Sequence, residues 1–461
     1  MTAASTIARP RAARAALPSV VTRFAAGATL AAVAFAAPSA LAAGNGNNGT
    51  AADEQLARGA YLARVGDCAA CHTAPHGKPF AGGVPLDTPF GTLYSTNVTP
   101  DAISGIGRYT YGDFARALRE GVAQDGHRLY PAMPFPSYAK VGDADMRALY
   151  HYFMHGVPAV GQRNRADRLR FPYNVRALMT VWDTIYLPNG IYQSDPRQSV
   201  EWNRGAYLVE GLGHCSACHT PHGVFGQEQA FDANGNTVFL SGGTLAGWYA
   251  PSLRKHPDGT SAAAVKAGLV DYLRSGRSAD GAAFGPMTEV VDHSLQYVSD
   301  ADLNAIATYL TSPPLRTQFT AAPAAGAADA TAIALRAGHV DGTGALLYLN
   351  NCSACHRSDG GGAMPAFPRL SGNGLVGDGD PSSLIHIVLS GSHMPSTATA
   401  PTPLAMPNFG WRLNDQQVAE LLTFVRKSWG NHAPAVSAEQ VRKVRATTVS
   451  AARQSTEDAP R

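Results

Sequence analysis

The sequence predicts an all-α chain of three tandem domains, and two repeated patterns support this fold class. All six cysteines belong to Cys-x-x-Cys-His motifs, which begin at Cys68, Cys215 and Cys352. A helical stretch precedes each motif, and an amphipathic stretch closes each repeat. The length of 461 residues also suits about three domains of roughly 150 residues each.

The helices that open and close the repeats have recognisable sequences. Arg58-Gly-Ala-Tyr61-Leu62 and Arg204-Gly-Ala-Tyr207-Leu208 precede the first two motifs, and a looser copy, Gly344-Ala-Leu-Leu-Tyr348-Leu349, precedes the third. Closing helices are predicted over 143–154, 300–310 and 414–426, where apolar residues recur at helical spacing after an Asp, Ser or Asn cap. A first and a last helix packed across one cofactor would complete each domain.

The motif itself indicates covalent attachment of haem c. Two thiols separated by two residues reach the two vinyl groups of one porphyrin, and the histidine that follows provides an iron ligand. We therefore expect three covalently bound haem c groups. The predicted thioether links are Cys68, Cys71, Cys215, Cys218, Cys352 and Cys355, and the predicted proximal ligands are His72, His219 and His356.

Other uses of paired cysteines fit less well. A thioredoxin-like pair needs no following histidine and does not occur three times, and a four-cysteine zinc site needs two pairs close in sequence. Disulfides would not explain the histidine after every pair.

The sixth iron ligand is predicted to be a methionine in each repeat. Met133, Met287 and Met406 each adjoin a proline ahead of the closing helix, which suggests loops that aim the thioether at iron. Met394, beside His393, is the alternative in the third repeat. Further histidines compete as ligands but are read as surface or propionate-contacting residues: His76, His214, His222, His293 and His393.

The termini and connections complete the predicted organisation. Arginines, an apolar stretch and Ala40-Leu41-Ala42 predict a cleaved signal peptide over an uncleaved anchor, and hence export to the periplasm. No later stretch is apolar enough to span a bilayer, so membrane contact is expected to be peripheral or through a partner. The predicted segments are signal peptide 1–42, first domain 52–160, packed connector 161–199, second domain 200–314, Ala/Pro/Gly linker 315–337, third domain 338–432 and polar tail 433–461.

Composition and charge argue for a globular protein without affinity for nucleic acid. Hydrophobic residues make up 45% of the chain, enough for globular cores. The net charge of +3 comes from four leader arginines. Without them, 33 basic residues face 34 acidic ones, which gives no support for nucleic-acid binding.

Longer motifs carry a family resemblance. They include Phe90-Gly-Thr-Leu-Tyr94-Ser-Thr-Asn97-Val-Thr99, Gly285-Pro-Met287-Thr-Glu-Val-Val291 and Met406-Pro-Asn-Phe-Gly-Trp411-Arg-Leu413. In these the chain resembles the three-haem cytochrome c subunits of membrane-bound bacterial dehydrogenases. The resemblance implies class I cytochrome c-like domains, each wrapped around one haem, with Met133, Met287 and Met406 as axial ligands. His76 and His222 depart from the family pattern, which has glycine and arginine there.

The resemblance also implies a function. Such a subunit accepts electrons from a catalytic dehydrogenase, flavin-dependent or quinoprotein, that oxidises gluconate, a polyol, a sugar or an alcohol. It passes them to ubiquinone at the periplasmic side of the cytoplasmic membrane, with peripheral membrane association and no catalytic residue of its own. Two alternatives stay open: a multihaem periplasmic enzyme, such as a peroxidase with an open haem, and a freely diffusing cytochrome c shuttle.

Overall fold

The computed structural model describes residues 51–188, 190–257, 261–316, 318–320 and 329–457. They form a helix-rich fold with short strands, which agrees with the predicted all-α class. The predicted signal peptide, 1–42, lies outside the described residues. In the part of the chain that is described, no helix combines the length and apolar character needed to cross a bilayer.

The region of the first motif begins and ends with a long helix. Its helices are α1 (Ala51–Val65), α2 (Cys68–His72), α3 (Tyr111–Glu120), α4 (Phe135–Tyr138) and α5 (Asp143–His155). Strands β1 (Pro85–Thr88) and β2 (Gly91–Tyr94) form an antiparallel hairpin, and β3 (Arg168–Leu169) pairs antiparallel with β2. Helices α1 and α5 pack together across this region.

The connector after α5 packs against its neighbours. It contains a 3₁₀ turn (Arg176–Leu178) and α6 (Met179–Tyr186). Trp182 is buried and lies edge-on to Phe135. Further along, the Tyr192 hydroxyl lies 2.9 Å from Asn203 Oδ1, so side chains hold the middle and the C-terminal part of the connector in place.

The region of the second motif repeats the arrangement of the first. Its helices are α7 (Val200–Tyr207), continued by a π-helical turn (Leu208–Leu212), α8 (Ser216–His219), α9 (Ala262–Ser275), α10 (Pro286–His293), a 3₁₀ turn (Leu295–Tyr297) and α11 (Asp300–Thr311). Its strands are β4 (Gly243–Leu245), β5 (Trp248–Ala250), β6 (Lys255–Pro257), β7 (Arg277–Ser278) and β8 (Gly281–Ala282). β4 pairs with β5 and β7 with β8, both antiparallel, whereas β6 runs parallel to β9 (Gln318–Thr320).

The region of the third motif has an extra helix at each end. Its elements are α12 (Ala330–Arg336), α13 (Thr343–Asn351), α14 (Ser353–His356), α15 (Ser382–Ser390), β10 (Ser392–His393), β11 (Ala405–Met406), α16 (Asp415–Lys427) and α17 (Ala438–Glu457). β10 and β11 form an antiparallel pair.

Two of these helices differ from the sequence-based expectation. Helix α12 lies within the predicted linker, where Asp329 caps it and Leu335 is buried in the third core. Helix α17 lies in the segment 433–461, which the sequence predicts only as a polar tail. It is firmly attached, because Val441 is fully buried. The Arg445 guanidinium donates to the carboxylate of Asp415 at 2.7 Å.

A glycine lets the opening helix of each repeat cross the closing helix closely. A Cβ added to Gly59 or Gly205 would lie 2.0 Å from the carbonyl oxygen of Ala148 or Ala305. At Gly344 it would lie 2.4 Å from the Glu420 oxygen. A hydrogen atom is therefore the only side chain that fits at each crossing.

The closing helices begin within one residue of their predicted starts. Ser299 caps α11, and Asn414 caps α16 in a capping box with Gln417. The first closing helix differs, because Gly142 precedes it and supplies no side-chain cap. The backbone thus follows the apolar periodicity even where the expected cap is missing.

Two large hydrophobic cores organise the described residues. One is continuous through the first two regions, where Leu62 and Leu149 belong to the same buried cluster as Leu208 and Leu303. The third region has its own core, built around Tyr348 and Val418 and closed by α17.

Candidate haem sites

Each Cys-x-x-Cys-His motif lies on a single short turn of helix. The motif histidine ends α2, α8 and α14, directly after the second cysteine. None of the six cysteines forms a disulfide. Burial raises the pKa of Cys68 to about 12 and that of Cys71 to about 11, so both are protonated at neutral pH.

The second and third motifs have similar thiols. Burial raises the pKa of Cys215 to about 12 and of Cys218 to about 11, and that of Cys352 to about 12. Reactive redox pairs need a lowered thiol pKa. These pairs therefore lack the environment that a thioredoxin-like pair requires.

The three motif histidines share one hydrogen bond to the backbone. Nδ1 of His72 lies 2.7 Å from the Thr96 carbonyl oxygen. A carbonyl oxygen only accepts, so Nδ1 carries the proton and the neutral ring keeps its lone pair on Nε2. Burial lowers the pKa of His72, which favours this neutral form.

The same bond occurs in the other two repeats. Nδ1 of His219 lies 2.7 Å from the Pro251 oxygen, and Nδ1 of His356 lies 2.8 Å from the Pro368 oxygen. Burial lowers the pKa of both imidazoles. An Nδ1–H bond to a carbonyl is the usual way to fix the tautomer of a metal-binding histidine. Three neutral rings that keep the lone pair on Nε2, each directly after a Cys-x-x-Cys pair, fit the requirements of haem c.

The predicted methionine ligands lie on three different kinds of structure. Met133 lies in the loop before α4, as expected. Met287 is the second residue of α10, and Met406 lies on β11 opposite Ser392, so the expectation of a loop is wrong for both. The reason at Met287 is that Pro286, with its fixed φ, begins a helix instead of ending one. All three side chains are partly buried against a hydrophobic core.

The alternative ligands of the third repeat lie on the same hairpin as Met406. Met406 packs against the third core. The strand that contains His393 instead contacts the second region, because the His393 carbonyl oxygen accepts a hydrogen bond from the Thr288 hydroxyl at 3.0 Å. Pro395, after Met394, fills the space beside Gly276. Met406 therefore packs within the third region, whereas the two neighbours of Met394 in the chain contact the second region.

One competing histidine is already engaged elsewhere. Nε2 of His214 lies 3.3 Å from the Gly66 carbonyl oxygen, and its ring lies edge-on to Tyr138. Both partners belong to the first region. His214 therefore joins two regions of the chain.

Sequence reasoning missed the acceptors Thr96, Pro251 and Pro368. They act through backbone carbonyls, which leave no side-chain signature. It also missed Asp145 and Asp302, which bind the tyrosines of the Arg-Gly-Ala-Tyr motifs. Here a signal existed, because Asp-Ala-Asp occurs at the start of both closing helices.

Comparison with known proteins places the chain in a family. The cytochrome c family matches residues 203–313 and 343–429. The chain is 47% identical over 402 residues to the gluconate 2-dehydrogenase cytochrome c subunit of Pantoea cypripedii, covering 85% of this chain and 90% of that protein.

Two further relatives have similar coverage. The cytochrome c subunit of the quinone alcohol dehydrogenase of Gluconobacter oxydans (strain 621H) is 44% identical over 408 residues, or 86% of this chain and 83% of that protein. The fructose dehydrogenase cytochrome subunit of Gluconobacter japonicus is 37% identical over 410 residues, or 85% and 82%. The resemblance noted in the sequence is thereby confirmed, and covalently bound haem c follows from it. The chain belongs to the family of cytochrome c subunits of bacterial dehydrogenases.

Proposed function

We propose that this chain is the three-haem electron-transfer subunit of a dehydrogenase complex. The observation that supports it best is the Nδ1–carbonyl bond, repeated at His72, His219 and His356. Each motif thus pairs two thiols with an imidazole prepared for iron. When bound, haem iron supplies reversible one-electron chemistry.

The residues of each site hold the cofactor and close it. The six cysteines would anchor it covalently, and His72, His219 and His356 would provide nitrogen ligands to the iron. Met133, Met287 and Met406 would provide the methionine ligands. Histidine–methionine ligation leaves no open position for a substrate and raises the reduction potential, as an electron carrier requires. No side chain has to act as an acid or a base.

Three tandem class I cytochrome c-like domains, at 52–160, 200–314 and 338–432, best account for the architecture. Each contains one motif between an opening and a closing helix that cross at a glycine: Gly59, Gly205 or Gly344. The family match to 203–313 and 343–429 supports the second and third domains.

The partners follow from the names of the relatives, which are subunits of gluconate, alcohol and fructose dehydrogenases. We infer a catalytic dehydrogenase partner, flavin-dependent or quinoprotein, that oxidises gluconate, a polyol, a sugar or an alcohol. Electrons then pass to ubiquinone. From the predicted signal peptide and the family resemblance we infer a location at the periplasmic side of the cytoplasmic membrane, in peripheral contact with it.

Carbon monoxide binding tests the ligand assignment, because it requires an open iron position. The reduced wild-type protein should bind none. Met133→Ala, Met287→Ala and Met406→Ala should each open one haem, whereas the matched control Met394→Ala should open none. Carbon monoxide binding by the wild type would support the open-haem enzyme instead. Opening by Met394→Ala and not by Met406→Ala would overturn the third assignment.

Purification from membranes tests the partner. A dehydrogenase subunit should remain with the cytochrome through several columns, and substrate should then reduce the haems. A cytochrome that always purifies alone would instead indicate a freely diffusing shuttle.

A further inference from the structure

Helix α6 exposes aliphatic side chains, alongside Thr180 and Thr184, on the face that points to solvent. Its inner face buries Met179 and Trp182. On its outer face Val181 and Ile185 are 60% and 63% exposed, and Leu178 of the preceding 3₁₀ turn, 50% exposed, continues this stripe at helical spacing. Aliphatic side chains exposed next to one another favour contact with another apolar surface.

The stripe belongs to a larger exposed patch. We define the connector patch as Phe171, Leu178, Val181, Ile185, Val224 and Phe225, all of them exposed. The loop of Phe225 is tied to α6, because the indole Nε1–H of Trp182 donates to the Phe225 carbonyl oxygen at 3.1 Å. Exposed apolar patches of this kind mark interaction sites on soluble proteins.

The chain segment that contributes most of the connector patch is rich in positive charge. Residues 161–188 contain five arginines and two aspartates, although the chain without its leader is close to neutral. Both aspartates are paired: Asp167 with Arg176 at 2.5 Å, and the buried Asp183 with Arg128 at 3.1 Å.

Two of the arginines are placed to meet a negative surface. Arg168 and Arg170 are exposed, directly precede Phe171, and pair with no carboxylate among the described residues. Arginines beside exposed aromatic and aliphatic side chains match a surface in which negative charge lies next to hydrocarbon. The headgroup and acyl boundary of an anionic bilayer has this composition.

We propose that the connector patch and its arginines are the surface by which this protein docks on an anionic phospholipid bilayer. A bilayer explains why apolar and basic residues are mixed without any unpaired acidic residue in 161–188. It would contact the outer face of α6, whose inner face packs with Phe135 against Met133. The first haem site would then lie one helix away from the lipid, about 10 Å.

The inference rests on the proposed function for its purpose, since electrons must reach a membrane quinone. Its test needs no electron transfer. The full-length, haem-loaded protein is mixed with vesicles of phosphatidylcholine and phosphatidylglycerol, and bound protein is separated by flotation. Val181→Ser/Ile185→Ser should bind at least about tenfold more weakly, because two side chains lose apolar contact.

The matched control is Val200→Ser/Ile333→Ser, which changes equally apolar side chains that are 88% and 53% exposed outside the connector patch. This control should bind like the wild type. Arg168→Gln and Arg170→Gln should each weaken binding about fivefold on the anionic vesicles. Neither should change binding to pure phosphatidylcholine.

The proposal is overturned if the wild type ignores anionic vesicles, or if the Val181/Ile185 variant floats as well as the wild type. Release of a co-purifying dehydrogenase by that variant, with vesicle binding intact, would also overturn it and identify a protein interface. Haem content and carbon monoxide binding are measured on the same samples. Failure of the docking surface is therefore distinguishable from failure of the proposed function.

Discussion

The first two regions of the molecule are joined as a reciprocal pair, whereas the third is attached by different contacts. Arg58 binds Asp145 of its own closing helix, and Tyr207 of the second region donates to the same carboxylate at 2.7 Å. The second region repeats this: Arg204 binds Asp302, and Tyr61 of the first region donates to it at 2.6 Å. Each carboxylate thus holds one arginine from its own region and one tyrosine from the other.

The third region keeps the helix crossing but lacks this exchange. Gln417 occupies the place of the aspartates, three residues before the crossing, and caps its own helix. Leu346, at the tyrosine position, is half exposed. The third region attaches through α15 instead, where the Ser383 hydroxyl bonds both the N–H and the carbonyl of Tyr249. A few polar side chains, on the same helical scaffold, therefore decide which repeats share a core.

A buried ion pair at the joint between the first two regions should give the largest effect. Lys140 lies 2.8 Å from Glu210, which also accepts from the Tyr309 hydroxyl at 2.5 Å. Lys140→Met would leave the Glu210 carboxylate buried without its cation, and we expect a loss of about 3–5 kcal/mol in unfolding free energy. Denaturant titration measures it. The control, Lys266→Met at the exposed pair with Glu201, should cost less than about 1 kcal/mol. Equal losses of unfolding free energy in the two variants would contradict this difference between the buried and the exposed ion pair.

Substitutions at the helix crossings should distinguish the stability of the joined first two regions from that of the third region. Gly205→Ala forces a Cβ against the Ala305 carbonyl and should cost about 1–3 kcal/mol or more. We expect it to lower the melting transition of the joined pair, and Gly344→Ala to lower that of the third region alone. Gly268→Ala, in open space on α9, should be neutral or slightly stabilising. If Gly205→Ala and Gly344→Ala both lowered the same single melting transition, all three regions would unfold as one unit.

The tyrosine exchange should contribute less. Tyr61→Phe removes one hydrogen bond to the Asp302 carboxylate, a loss of about 1.5–3 kcal/mol for a charged acceptor. Leu346→Ser at the corresponding exposed position should change stability by less than about 0.5 kcal/mol. Thermal unfolding of both variants makes the comparison. A larger loss of stability in Leu346→Ser than in Tyr61→Phe would indicate that Leu346 also lies in an interface.

The pH dependence gives a related test. Burial raises the pKa of Asp302, but hydrogen bonds from Arg204 and Tyr61 lower it further, so its net pKa lies below the usual 3.8. A lowered carboxyl pKa stabilises the folded state above the unfolded pKa, and this stability is lost as pH falls through the folded value. Stability of the wild type should therefore fall below about pH 4, and less steeply in Tyr61→Phe. If the stability of the wild type and of Tyr61→Phe fell identically with pH, the hydrogen bond from Tyr61 to Asp302 would have no role in the acid sensitivity.

Sequence reasoning predicted the closing helices because their burial follows apolar periodicity, and it located every motif cysteine and histidine because attachment chemistry fixes their spacing. It failed where tertiary packing decides. Helix α12 forms in an Ala/Pro/Gly-rich stretch because Leu335 finds a place in the third core. The Met406 strand exists only because Ser392 pairs with it. The tyrosine exchange depends on how two regions meet, which neither sequence motif specifies alone.

The mass of the intact exported protein shows how many haems are covalently attached. We expect the polypeptide mass plus three haem groups, and one haem fewer after Cys68→Ala/Cys71→Ala, Cys215→Ala/Cys218→Ala or Cys352→Ala/Cys355→Ala. A wild-type mass with fewer than three added haems, from cells that mature other c-type cytochromes normally, would contradict it.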